Sequence, residues 1–288
     1  MRLYSFQFEG TSRLAVALPD SNTVLDLTEA APELPGNAIE LIAGFSRFSP
    51  VIEERMSSVR NSKWVRDLAE LPLLAPVPRP GKILCSGINY RSHLDENPDA
   101  ILPEEPFFFA KLPSAVIGPN QPIRYPRLSR QVDYEIEFAA VIGKTMTNTP
   151  ESEVLEHVFG YTILHDVSAR DVQFRNSQIT LGKNFDTFCP IGPCVVTRDE
   201  IPNPGRIGLK TFLNGKKMQD GSTADWLFSL PELLGFLSQR ITLEPGDIVS
   251  TGTPAGVGVF RKPPVFLQPG DVVQLQADQI GTLQNEVT

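Results

Sequence analysis

The stretch Asp133-Tyr134-Glu135-Ile136-Glu137-Phe138, continued by Ala139-Ala140-Val141-Ile142-Gly143, decides how this chain is read. A strand turns every second side chain to the same face. Glu135 and Glu137 therefore point one way with Asp133 beside them, and Tyr134, Ile136 and Phe138 point into core. Beyond Glu137 both faces turn apolar until Gly143 ends the run. Two carboxylates side by side at the mouth of a buried strand repel each other. One must take up a proton, or a cation must bind between them.

The next unit supplies a third carboxylate. Thr149-Pro150-Glu151 reads as an N-cap with proline at the first helical position. It predicts a helix to about Val158, stopped by Gly160, and then a second buried strand from Tyr161 to Asp166. That order predicts a βαβ unit with a short crossover. With the two strands as neighbours, Asp166 joins Glu135 and Glu137. Three oxygen ligands, with no Cys or His cluster at metal spacing, favour a hard ion: Mg²⁺ first, then Mn²⁺ or Ca²⁺. The pattern alone leaves open a plainer alternative, an acidic strand edge facing water.

On the C-terminal side, a helix starting near Ser168 holds Arg170 and Gln173 close to the metal, and Leu181-Gly182-Lys183 brings in Lys183. Two cations beside a divalent ion suit a carboxylate or an enolate. On the N-terminal side, the buried strand Lys82 to Gly87 leads to His93 and Glu96. Three residues apart, these share one helix face. A carboxylate there orients the imidazole and raises its basicity, as a general base requires. A proline-rich acidic loop, Asn97 to Pro106, follows, and the strand Phe107 to Lys111 delivers Lys111. Thr251-Gly252-Thr253-Pro254-Ala255-Gly256-Val257-Gly258 has no Gly-Lys-Ser/Thr and is not a P-loop. Its N–H groups and hydroxyl are suited to an anion. Three carboxylates and a divalent ion sum to about −1, and Lys111, Arg170 and Lys183 bring the site to about +2. That balance suits a dicarboxylate.

The remaining chain frames this site. The 288 residues suffice for a large core, as one domain or a large and a small one. No apolar run of ~18 residues is present, so no membrane span is expected. The start carries no signal or transit pattern, and a cytoplasmic location is expected. A formal charge of −8 argues against general nucleic-acid binding. Cys85, Cys189 and Cys194 lack CxxC spacing and read as small buried hydrophobes in a reduced protein. Strands are expected at Leu3 to Phe8, Leu14 to Leu18 and Thr23 to Leu27, with a turn at Pro19-Asp20-Ser21-Asn22. Helical patterns follow at Ala38 to Phe45 and Pro50 to Met56. Pro72 to Pro80 holds four prolines in nine residues, a stiff linker. It divides the chain into a small domain (1–71), a linker (72–80) and a catalytic domain (81–288). Pro190-Ile191-Gly192-Pro193 reads as a break before a strand at Cys194, and Asn214-Gly215 as a hairpin turn.

Together the motifs resemble the fumarylacetoacetate hydrolase superfamily. The likeness rests on Gly87-Ile88-Asn89-Tyr90-x-x-His93-x-x-Glu96, Asp133 to Glu137, Gly160-Tyr161-Thr162 leading to Asp166-Val167-Ser168-Ala169-Arg170-Asp171, Leu181-Gly182-Lys183, and Thr251 to Gly258. They cover Gly81 to Thr288. The Gly182-to-Pro190 and Gly258-to-Pro264 stretches resemble the branch linked to oxaloacetate tautomerisation. The βαβ unit by itself points to α/β. The resemblance implies instead a mostly β (α+β) fold, with sheets rolled around a cavity, helices outside, and a homodimer. It implies Mg²⁺ held by Glu135, Glu137 and Asp166, an acid–base dyad of His93 and Glu96 on a closing loop, and substrate contacts from Lys183, Arg170, Gln173 and Thr253. The implied substrate is a small 2-oxo acid with a second carbonyl. C–C hydrolysis of an acylpyruvate such as fumarylpyruvate ranks first, because the dyad suits water activation. Oxaloacetate tautomerisation or decarboxylation ranks second. A non-catalytic metabolite binder would have no need for His93 beside Glu96.

Overall fold

The computed structural model describes residues 1–19, 22–59, 63–97, 100–175 and 179–288. Asp20-Ser21 of the expected first turn and Pro98-Asp99 of the acidic loop lie outside them. The acidic stretch becomes the strand Ile136–Ile142, buried on both faces. It pairs antiparallel with Val158–His165, in a register that sets Ile136 opposite His165 and Glu137 opposite Leu164. The βαβ expectation is thereby corrected. Between the strands lie only a turn and a short 3₁₀ segment, Val154–His157, and the N–H groups of Gly143 and Lys144 reach the His157 carbonyl at 2.7 and 3.1 Å. Gly143 and Lys144 thus close on His157 at the same end of the sheet, as an antiparallel return does and a crossover does not.

The reversal of direction is what assembles the site. In a parallel pair the start of one strand and the end of the next lie at opposite edges. In the antiparallel pair they meet, and the Asp166 N–H donates to the Glu135 carbonyl at 3.0 Å. Gly160, expected to stop a helix, lies within the strand. A Cβ there would sit 2.2 Å from the Val196 carbonyl oxygen, so glycine lets the neighbouring strand approach.

Among the described residues twelve strands share one sheet. From one edge the order runs Val65–Asp67, Thr23–Asp26, Thr11–Ala17, Arg2–Phe8, Cys189–Thr197, Val158–His165, Ile136–Ile142, Ile248–Ser250, Ile83–Ser86 and Phe108–Lys111. Arg2 and Leu3 pair with Val196 and Val195, and Leu73–Leu74 of the proline-rich stretch pairs with the same first strand. Pro190 and Pro193 do not break the chain but lie inside Cys189–Thr197. The ladder shifts register between Tyr161 and Ile163 opposite them, which accommodates residues without N–H donors.

One face of this sheet packs on a four-stranded sheet built from Gly208–Leu213, Lys216–Ser222, Val272–Ala277 and Gly281–Glu286. Phe138 and Ile163 join Leu209, Leu275 and Leu283 in that core. Asn214 and Gly215 turn its first hairpin with positive φ at both positions (51° and 78°), as a two-residue type I′ turn requires. The other face puts Ala139, Val141 and Leu164 against Leu41, Ile42, Phe48 and Ile52. The latter four come from the helices Ala38–Ala43 and Phe45–Ser58. The architecture is mostly β with helices outside, as the resemblance implied. Among the described residues no helix is long and apolar enough to cross a membrane.

Candidate active site

Glu135 lies in the gap between Val132–Asp133 and Ile136–Ile142, and Asp166 follows directly on Val158–His165. One oxygen from each of Glu135, Glu137 and Asp166 lies within 4.8 Å of the others. Oxygens bound ~2.1 Å from one small divalent ion sit ~3–4 Å apart, so this all-oxygen set fits such an ion. All three side chains are buried. Arg170 Nη2 donates to Glu135 Oε1, and Lys183 Nζ reaches Glu135 Oε2 at 2.8 Å and Asp166 Oδ2 at 2.5 Å. Burial alone would raise the Glu135 carboxyl, but Arg170 and Lys183 outweigh it and hold it well below the usual range. Glu137 has no cation partner among the described residues; it accepts from Ser250 Oγ. Burial, then Asp166 and Glu135, push its carboxyl well above the usual range. This is the conflict that a bound cation removes.

A fourth carboxylate supports the first three. Asp133 Oδ1 accepts from the N–H groups of Gly258 (2.7 Å) and Tyr134 (2.8 Å), and Oδ2 from Val259 N–H and Arg170 Nε (both 2.9 Å). Asp133 thus holds the guanidinium that holds Glu135. Arg170 Nη1 also donates to Gln173 Oε1 at 3.1 Å. Lys183, at the end of the helix Ile179–Lys183, has one N–H uncommitted among the described residues, and its ammonium lies 5.1 Å over the Phe109 ring. Lys111 takes a different place from the one expected. It is buried behind Asp166, bonded to Asp166 Oδ1 (2.5 Å) and to the carbonyls of Lys183 (2.6 Å) and Val167 (3.3 Å), and it does not line the cavity. Counting Asp133 as well, the cluster with a divalent ion sums to about +1, not the +2 expected.

His93 and Glu96 sit on the short helix Arg91–Glu96, with His93 Nδ1 2.7 Å from Glu96 Oε1. Glu96 Oε2 accepts from Gly256 N–H at 2.7 Å, and Ser92 N–H donates to Asp225 at 2.8 Å. The glycine-rich stretch therefore commits several of its amides within the protein. It spends Gly256 on Glu96, and Gly258 on Asp133. Arg261 ties the loop down through the Gly256 carbonyl and Tyr134 Oη, both at 3.2 Å. Ser250, Arg261 and the supporting role of Asp133 were not read from sequence. Only the alternation around Asp133 offered a signal.

A cavity of about 210 Å³ is lined by His93, Glu135, Glu137 and Lys183, together with Arg170, Gln173 and Thr253. Phe107, Phe109, Phe174, Ile179 and Phe260 supply an apolar wall. The arrangement can hold an anionic oxygen at one end and move a proton at the other.

Residues 82–288 match the fumarylacetoacetate (FAA) hydrolase C-terminal family. The chain belongs to the fumarylacetoacetate hydrolase family. Family relatives extend the likeness to nearly the whole length. Oxaloacetate tautomerase fahd2, mitochondrial, of Xenopus laevis is 41% identical over 292 residues, spanning 100% of this chain and 90% of its own. Oxaloacetate tautomerase YisK of Bacillus subtilis is 40% identical, spanning 93% and 94%. Within the same family, the maleylpyruvate hydrolase from Sphingobium sp. SYK-6, solved with manganese(II) and pyruvate, superposes with a TM-score of 0.83. It is 31% identical, over 100% of this chain and 99% of its own.

Proposed function

We propose that this protein is a divalent-metal-dependent keto–enol tautomerase acting on oxaloacetate. The observation that carries the reading is that His93, backed by Glu96, lines one small cavity together with Glu135 and Glu137. Tautomerisation needs only a base near the C3 proton, whereas hydrolysis also needs a placed water and a distal carbonyl. The motifs alone ranked hydrolysis first. Full-length likeness to two proteins named oxaloacetate tautomerase reverses that order.

Glu135, Glu137 and Asp166 would hold Mg²⁺, with Mn²⁺ or Ca²⁺ as substitutes. When bound, the ion supplies Lewis acidity toward the 2-oxo acid. The remaining work falls to side chains. Glu96 faces Nδ1 of His93, so that nitrogen carries the hydrogen and Nε2 is the base. In the keto-to-enol direction Nε2 takes the C3 proton, the negative charge that develops on the C2 oxygen is met by the Lys183 N–H, and the proton then passes from Nε2 to that oxygen; ketonisation reverses these transfers. Gln173 gives its oxygen to Arg170, which can only donate, and among the described residues no acceptor takes its amide hydrogens, which suit a substrate oxygen. The aromatic wall keeps bulk water from the base.

The second reading, acylpyruvate hydrolysis, is favoured by that same wall, which would seat an apolar acyl group. The test supplies enol-oxaloacetate and an acylpyruvate side by side with Mg²⁺. Fast ketonisation without cleavage supports the tautomerase, cleavage without ketonisation supports the hydrolase, and inertness toward both supports a binder. A cytoplasmic homodimer belongs to the same proposal. Phe108–Lys111 is a sheet edge with exposed Ile101, Leu102 and Leu112 near it in the chain. Light scattering giving a monomer mass at micromolar concentration would contradict the dimer.

A further inference from the structure

Gln219 lies on Lys216–Ser222, remote in sequence from every site residue, yet its side chain is buried and reaches the site. Its amide makes four hydrogen bonds. Oε1 accepts from Ile136 N–H at 3.1 Å and Thr211 Oγ1 at 2.8 Å, and Nε2 donates to Thr253 Oγ1 at 2.8 Å and to the Pro254 carbonyl at 2.9 Å. The orientation of the amide is fixed chemically at both ends. A backbone N–H can only donate, and a carbonyl can only accept. The atom facing Ile136 is therefore oxygen, and the atom facing Pro254 is nitrogen.

One consequence concerns Thr253. Its oxygen accepts from Gln219, so its own hydrogen is free to go elsewhere. Among the described residues no acceptor takes it. Thr253 lines the same cavity as Glu135, Glu137 and His93. A buried hydroxyl with one lone pair engaged and its hydrogen unclaimed still has that hydrogen to donate. What it lacks is an anionic oxygen.

We propose that Gln219 is a positioning residue that turns the Thr253 hydroxyl hydrogen into the cavity, toward a carboxylate oxygen of the bound 2-oxo acid. The inference rests on reading the cavity as a 2-oxo acid site. It adds that the discrimination for the acid is set from the second sheet, through one amide. Without Gln219 the hydroxyl is free to rotate, and the Pro254 carbonyl becomes a competing acceptor for its hydrogen.

The test is a double-mutant cycle read by calorimetry, with oxalate as an unreactive carboxylate probe and Mg²⁺ saturating. Thr253→Val is expected to weaken oxalate binding roughly tenfold or more, as the loss of a hydrogen bond to a charged group does. Thr253→Ser, which keeps the hydroxyl, stays within about threefold. Gln219→Met weakens oxalate by a similar factor in the unaltered background and not at all in the Thr253→Val background, while Mg²⁺ affinity holds in each. Equal weakening in both backgrounds would mean that Gln219 acts only on structure, and would overturn the inference; so would an unchanged Thr253→Val. If Gln219→Met does not fold, Gln219→Glu keeps the acceptor facing Ile136 and carries the same cycle. Oxalate that fails to bind the unaltered protein overturns both the inference and the 2-oxo acid reading. Oxalate that binds with a flat cycle overturns the inference alone.

Discussion

Two buried ionic clusters in this chain look alike in composition and differ in balance. In the first, Asp26 is fully buried between Arg66 at 2.9 Å and Arg13 at 3.2 Å, and Arg13 also holds Glu29 at 2.6 Å, so two carboxylates meet two cations. Both guanidiniums also cover the Phe8 ring, at 4.2 and 4.3 Å from its centroid. In the second, four carboxylates (Asp133, Glu135, Glu137 and Asp166) meet three cations, and Glu137 is left with a hydroxyl alone. The first lines no part of the 210 Å³ cavity, whereas Glu135 and Glu137 of the second form its floor. A matched cluster stabilises the fold; an unmatched one in a cavity stores an affinity for a cation.

The largest expected effect is at the unmatched residue. Glu137→Gln should abolish measurable Mg²⁺ binding by calorimetry and with it turnover, yet the metal-free protein should melt no earlier than the unaltered one, because a repelling charge has gone. An earlier metal-free melt would show that Glu137 is matched after all. Next comes His93→Ala, outside the cluster. Turnover should fall by roughly 10²–10⁴ with Mg²⁺ affinity intact, and a change of only a few-fold places the base elsewhere. Asp26→Asn should then cost about 2–3 kcal/mol in denaturant unfolding. That lies below the ~3–5 of a fully buried pair, because Arg13 and Arg66 keep water contact. Turnover per folded molecule should not change, and a loss of Mg²⁺ affinity there would erase the distinction between the clusters.

The smallest effect is a slope. The folded Glu137 carboxyl lies above its ordinary value of 4.5, so its contribution to stability is present at low pH and is lost as pH rises from about 4.5 upward. In EDTA, unfolding midpoints of the unaltered protein should fall across that window relative to Glu137→Gln. Parallel curves would contradict the assignment.

The three clustered carboxylates were legible because a two-residue period and the end of a neighbouring strand are local patterns. The direction of pairing was not. Glu151 to His157 has helical composition, and only the bonds from Gly143 and Lys144 to His157 reveal a tight return. Gly160 reads as a stop by itself and as a spacer only once Val196 lies beside it. Lys111 and Asp133 differ from Lys183 and Glu135 by burial behind the site, which spacing does not record. Gln219 was invisible because three of its four partners lie 34 to 83 residues away.

The loop at Gly256 has a consequence for engineering. Loops ordinarily absorb insertions and deletions. Here Gly256 N–H serves Glu96 on a helix, while Gly258 and Val259 N–H serve Asp133 beside a strand. One residue added between Gly256 and Gly258 would slide a donor off one carboxylate in order to keep the other. Libraries that vary loop length should leave 255–261 untouched. Side-chain diversity is tolerable only where no Cβ collides, which excludes position 258, where a Cβ would fall 1.9 Å from the Val265 carbonyl oxygen. Proline at any of the three donor positions would delete an N–H that the site uses.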